Sequence, residues 1–276
     1  MTDLNPNNLT IFNATGSDQK AYPFPEGNKK QGGIFTDRIL GGLASGGNIN
    51  KSFKNARSEV PNLAYQLYPG KKPEQNPVSY GSKVPNGLLD PNRSDNRGVA
   101  LIVQGKERGD GDTGIQVDVD KAKAKYQKLG LDVSVVKTFE ELKTFEASLK
   151  EKGDKQTGDI FIQHISGHAS SLRRETKGLD GVGSRTRPAV INNRSSEGVF
   201  EMTPSAGEEG PAVKEGTAFV HEDNLTSPLF TASSNFDHAV GIIDTCAAGC
   251  FDNKNSTESM SKVIQVDPDD IVDNAR

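Results

Sequence analysis

Spaced by its apolar residues, the chain is most regular between residues 97 and 246. RGVALIVQG (97–105) is a continuous apolar run closed by glycines, which suits a strand buried on both faces. GIQVDVDKAKAKYQKLG follows, with Ala122, Tyr126 and Leu129 on one helical face and Gly130 where a C-terminal cap is expected. LDVSVV (131–136) predicts a second strand. TFEELKTFEASLKEKG opens with Thr138 and Glu141 at capping-box spacing, and Phe139, Leu142, Phe145 and Leu149 form its stripe. DIFIQHIS (159–166) and HAVGIIDT (238–245) predict a third and a fourth strand. Strands alternating with helices predict an α/β fold with a parallel sheet.

Outside this run the pattern weakens. Residues 167–237 are long, polar and rich in Gly, Ser and Arg, as expected of a functional or disordered surface segment. GVFEMTP and TAFVHEDN are expected to form a short hairpin beyond it. Near the start, NLTIFNATG (8–16) predicts a strand. GIFTDRILGGL (33–43) predicts a helix with Phe35, Ile39 and Leu43 on one face. NINKSFKNARSEV (48–60) predicts another, capped by Asn48, with Ile49, Phe53, Ala56 and Val60 inside. The Pro/Asn/Gly-rich stretch 61–96 is expected to be extended. One strand and two helices are a thin basis for a separate domain, so residues 1–92 are expected to complete the sheet that starts at 97.

Composition narrows the function. A chain of 276 residues holds a sizeable core. A formal net charge of -4 supplies no basic field for nucleic acid or an anionic membrane. No apolar run approaches a membrane span, and the polar start MTDLNPNNLT has no signal-peptide core. Two cysteines make no disulfide framework, so a reducing cytoplasm is expected.

The candidate chemistry sits at strand ends. In an open parallel sheet, reactive groups gather past the carboxyl ends of the strands. Cys246 follows one such end in IIDTCAAG, and His168 follows another in HISGHAS. A thiol and an imidazole on one rim are the minimum for nucleophilic catalysis. QGKERGDGDTG after the first strand matches neither a Walker loop nor a GxGxxG fingerprint, which argues against a nucleotide-binding domain. His164 reads as structural, since a metal pair at i,i+4 with His168 belongs on a helix.

QHISGHAS (163–170) and IIDTCAAG (242–249), in this order and about eighty residues apart, resemble the paired motifs of caspase-like cysteine peptidases, metacaspases and prokaryotic caspase homologues above all. The resemblance implies a three-layer sandwich, a mostly parallel sheet with helices on both faces. It implies a cysteine endopeptidase with Cys246 as nucleophile, His168 as general acid/base, and the backbone N–H groups of Cys246 and Ala169 as oxyanion donors. The family usually has Gly where Ala169 stands, so a crowded turn is expected there. Gly167 is expected to permit the turn itself. Asp244, two positions before the cysteine, resembles the metacaspase pocket acid that pairs with Arg or Lys, and Asp18 in ATGSDQKAY resembles a second one.

LTIFNATGSDQKAY and GGIFTDRILGGL resemble family segments that normally follow the catalytic cysteine. The resemblance therefore implies one caspase-like domain in circularly permuted order. Residues 1–60 would be the small-subunit-like part, 61–96 the connector and 97–276 the large-subunit-like part. The implied partner is a peptide or protein with a basic residue before the scissile bond, with no nucleic acid, membrane or metal. Calcium through Asp267, Asp269 and Asp270 is the alternative cofactor, against a solvated loop. Cys250 is expected to pack. Arg173, Arg174, Arg185 and Arg187 are candidate self-cleavage positions. The alternative function is a pseudoprotease that keeps the fold and binds partners.

Overall fold

The continuous apolar runs form the middle of a six-stranded sheet. The computed structural model describes residues 8–16, 19–43, 48–89, 98–108, 114–151, 158–172, 197–205, 213–214, 216–246 and 271–272. In chain order the elements are β1 (Leu9–Asn13), α1 (Ile34–Leu43), α2 (Ile49–Leu67), β2 (Val78–Gly81), β3 (Gly98–Gln104), α3 (Gly114–Lys128), β4 (Asp132–Val136) and α4 (Phe139–Glu151). They continue with β5 (Gly158–Ser166), β6 (Ala169–Leu172), β7 (Glu197–Met202), β8 (Val213–Lys214), β9 (Thr217–His221), α5 (Glu222–Asn235), β10 (Phe236–Asp244) and β11 (Ile271–Val272).

The main sheet has the order β2-β1-β10-β5-β3-β4. All its pairings are parallel except β1 with β2. Every residue of β5, the strand at the centre, is buried. Parity along the strands divides the core. Ala100, Ile102, Ile160, Ile162, Val240 and Ile242 pack with α1, α2 and α3. Leu101, Val103, Phe161, Ile165, Ala239 and Ile243 pack with α4, α5 and the second sheet. The architecture is an α/β three-layer sandwich with helices on both faces of a mostly parallel sheet.

Local chemistry starts and stops the helices. Asn48 caps α2 by accepting from Lys51 N at 2.9 Å. Thr138 and Glu141 form a reciprocal box at α4, with Glu141 N donating to Thr138 Oγ1 at 3.2 Å and Thr138 N donating to Glu141 Oε2 at 3.1 Å. Gly130 adopts φ 80 just past α3, a conformation that needs no Cβ.

β1 completes the sheet from the early part of the chain. It lies beside β10 with Leu9 opposite Ala239 and Asn13 opposite Ile243. Two expectations are corrected. The stretch from 61 is not extended at its start, because α2 runs through Pro61 to Leu67. The buried stripe Ala56, Val60 and Ala64 continues across the proline, and its packing outweighs the lost backbone hydrogen bond. The polar segment 167–237 contains α5, which has Pro228 inside and low-propensity Ser and Thr, but buries Leu225, Leu229, Phe230 and Ala232. The expected hairpin strands, β7 and β9, do pair antiparallel, as part of a five-stranded sheet ordered β11-β6-β7-β9-β8.

Among the described residues, no helix is long and apolar enough to cross a membrane.

Candidate active site

Parallel pairing of β10 with β5 sets the geometry of the rim. Asp244 lies opposite Ser166 as the last pair in register. Two residues further on each strand come Cys246 and His168, so the thiol and the imidazole leave neighbouring strands at matched positions. Strands in a sheet lie ~4.8 Å apart. Gly167 N donates to Asp244 O at 3.4 Å, which carries the pairing one step past the strand ends.

The His168 side is fixed by the second sheet. Glu201 N donates to His168 O at 3.0 Å. That bond flanks the Ala169–Phe200 pair and makes it a non-hydrogen-bonded one, so the Ala169 N–H points away from β7. The crowding expected from Ala169 is overturned. Ala169 opens a strand, its backbone is not left-handed, and its methyl group packs in the core with Phe200. Gly167 is also reassigned, since its φ is not positive. A Cβ there would lie 2.7 Å from Gly105 Cα and from the Phe200 ring, so close backbone approach requires the glycine.

Cys246 is half-buried, with Sγ 3.9 Å from the Ala21 carbonyl oxygen. Burial pushes its thiol up, the Asp244 carboxylate adds to this, and Lys20 and Arg108 pull the other way. Arg108 is tied to buried Glu201 by a two-pronged ion pair, with Nε donating to Oε2 at 2.9 Å and NH2 to Oε1.

Asp244 turns toward the N-terminus of α1. Its Oδ2 accepts from Thr36 N at 3.0 Å, and the Thr36 hydroxyl also bonds to it. A second carboxylate, Asp118 of α3, accepts from Gly33 N at 2.9 and 2.8 Å through its two oxygens and from Ser166 Oγ at 3.3 Å. Orphan N–H groups at a helix start suit such acids. Both are buried. Burial, then the neighbouring Asp244, holds the Asp118 carboxyl well above the usual range, while Gly33, Lys121 and Ser166 oppose. Burial also raises Asp244, against its bonds from Thr36. A Cβ on Gly33 would collide with Asp244 Oδ2, so this glycine is what lets both acids converge.

His164 is enclosed in mid-strand, bonded to Tyr126 OH at 2.8 Å through Nδ1 and to Thr36 Oγ1 at 3.3 Å through Nε2. Burial pushes it down to about 3, so the ring is neutral. It is engaged on both nitrogens by protein. Among the described residues no group of three or more His, Cys, Asp or Glu side chains is placed to hold a metal ion. Asp18, Cys250, Asp267, Asp269, Asp270 and the arginines 173, 174, 185 and 187 lie outside the described residues.

The register therefore places Cys246, His168, Ala169 and Asp244 at the same end of two neighbouring strands. Sequence reading missed Asp118, Gly33 and Thr36. Asp118 left a signal, because an acid at that helix position interrupts the apolar face made by Ile115, Val119 and Ala122. No model of a known protein family matches the chain, and neither does any curated protein.

Proposed function

We propose that the protein is a caspase-like cysteine endopeptidase, related to metacaspases, that cleaves after Arg or Lys. The observation that carries this is the matched exit of Cys246 and His168 from neighbouring parallel strands. In the proposed reaction His168 accepts the thiol proton as Sγ attacks the scissile carbonyl carbon. The N–H groups of Cys246 and Ala169 stabilise the oxyanion. His168 then gives the proton to the leaving amine, and water hydrolyses the thioester.

Asp244 is the proposed acid for the basic side chain, with Asp118 beside it and Asp18 as the further acid suggested by its motif. Two buried carboxylates whose proton affinity is raised, Asp118 by burial and by Asp244 and Asp244 by burial, gain most from a nearby cation. β1 lying beside β10 agrees with one caspase-like domain in permuted order, residues 1–60 supplying the small-subunit-like part. A free thiol nucleophile fits a reducing, cytoplasmic setting.

The raised Cys246 thiol favours a second reading, a binding module with little catalysis. Hydrolysis of fluorogenic peptides ending in Arg, Lys or Asp, with Cys246→Ala as blank, separates the two. Turnover of the Arg and Lys peptides that requires Cys246 is expected. Turnover of the Asp peptide alone removes the role given to Asp244, and no turnover of any peptide leaves the binding module.

A further inference from the structure

We propose that Tyr126, His164 and Thr36 form a one-way chain of hydrogen-bond donors that ends on Asp244 and orients its carboxylate for the basic side chain. This rests on Asp244 being the substrate-binding acid.

The four residues stand on four different elements. Tyr126 is on α3, His164 on β5, Thr36 on α1, and Asp244 closes β10. All are buried, three of them fully. Tyr126 OH lies 2.8 Å from His164 Nδ1, His164 Nε2 lies 3.3 Å from Thr36 Oγ1, and the Thr36 hydroxyl and N–H both bond to Asp244.

The direction follows from the two ends of the chain. The Tyr126 hydroxyl is neutral, because complete burial raises its pKa far above the working range. It makes no other hydrogen bond among the described residues. If His164 carried its proton on Nδ1, that N–H would donate to the tyrosine oxygen, and the tyrosine hydrogen would be buried without an acceptor. Nε2 would then need the Thr36 hydrogen, and Asp244 would lose that bond. A buried donor left unmade costs more than a made bond gains. With the proton on Nε2, Tyr126 donates to Nδ1, Nε2–H donates to Thr36 Oγ1, and Thr36 donates to Asp244. Every hydrogen then has an acceptor, and the Asp244 carboxyl group is the terminus. A neutral His164 passes on a dipole and no charge. Tyr126, His164 and Thr36 are thus positioning residues, acting through Asp244.

Two measurements test this. The tautomer of His164 is read by nitrogen NMR on histidine-labelled Cys246→Ala protein, with Tyr126→Phe compared. Protonated Nε2 and bare Nδ1 are expected, with Nδ1 gaining proton population in Tyr126→Phe. Protonated Nδ1 in the Cys246→Ala protein, or no response to Tyr126→Phe, overturns the chain whether or not the protein cleaves anything. Steady-state kinetics on the Arg peptide then compare Thr36→Val with Thr36→Ser. About a tenfold rise in KM for Thr36→Val is expected, with kcat within about twofold and most of the loss recovered in Thr36→Ser, since one hydrogen bond to a charged group is removed and returned. Equal behaviour of the two variants, or a loss confined to kcat, overturns it. Absence of any Arg or Lys hydrolysis in the unaltered protein sinks the peptidase proposal instead, and the tautomer still decides the chain.

Discussion

The ends of β5 and β10 are alike in sequence logic and unlike in support. Each strand is nine residues long, nearly all buried, and each passes a reactive side chain two residues beyond the last pair in register. Beyond β5, Gly167 is pressed against Gly105 and the Phe200 ring, and the His168 carbonyl is held by Glu201 N. Beyond β10, the Cys246 thiol leans on the Ala21 carbonyl, and the strand beneath it is pinned by a carboxylate on a helix start. The backbone that carries the imidazole is thus held by backbone bonding and close packing. The segment under the thiol adds side-chain amides to its backbone bonds from Phe24 N to Gly32 O and from Ile34 N to Tyr22 O. Gly16 N and Asn76 N both donate to Gln19 Oε1, at 3.1 and 3.0 Å, and Tyr22 N donates to Gln75 Oε1 at 3.1 Å. A base needs a fixed direction, whereas a nucleophile must follow the carbonyl it attacks, so the asymmetry suits the proposed chemistry.

The largest effect is expected at the rigid end. Gly167→Ala puts a methyl group 2.7 Å from backbone that cannot retreat, so His168 shifts by a fraction of an ångström or more. A fall of about a hundredfold in kcat/KM is expected, since small misplacements of a catalytic group cost on that order, together with a lower Tm. Near-normal turnover would show that the β5 end is not the rigid partner. At the other end, the raised thiol predicts that alkylation of Cys246 by iodoacetamide inflects above the ordinary thiol range and not below neutrality. The sign follows because the thiolate reacts, and a higher pKa leaves less of it at a given pH. An inflection in the acid range would mean a standing thiolate–imidazolium pair. The smallest effect is expected from Gln75→Ala, which strips the buried acceptor from Tyr22 N and costs about 1–2 kcal/mol in denaturant unfolding. Alkylation of Cys246 should speed up modestly, while His168-side packing is untouched; an unchanged rate would detach the 19–24 segment from control of the thiol.

The parts legible in the sequence were those where one face is enough. DIFIQHIS and HAVGIIDT are apolar at both parities, and Ala122, Tyr126 and Leu129 recur at helical spacing, so strand and helix follow directly. α5 and the second half of α2 were hidden by Pro228 and Pro61, because a proline rule is local while the packing that overrides it is tertiary. The places of Cys246 and His168 were visible because each sits beside a strand end. Asp118 was not, since its role depends on Gly33 and Ser166, which no local period connects to it. His164 was read as structural from its place in the strand, and its two partners come from two helices earlier in the chain, 38 and 128 residues away.

The place of β1 between β2 and β10 also governs the order of assembly. β1 and β2 can pair as soon as residue 81 is made, with α1 and α2 between them as a local unit. The parallel neighbour of β1 ends at Asp244, so at synthesis rates of about 5–20 residues per second the edge facing β10 waits on the order of ten seconds. During that time the apolar LTIF backbone presents an unpaired ladder to whatever passes, the condition under which chaperones act and strand-swapped dimers arise. Expression at lower temperature or slower induction would then change yield more than any substitution on the finished surface.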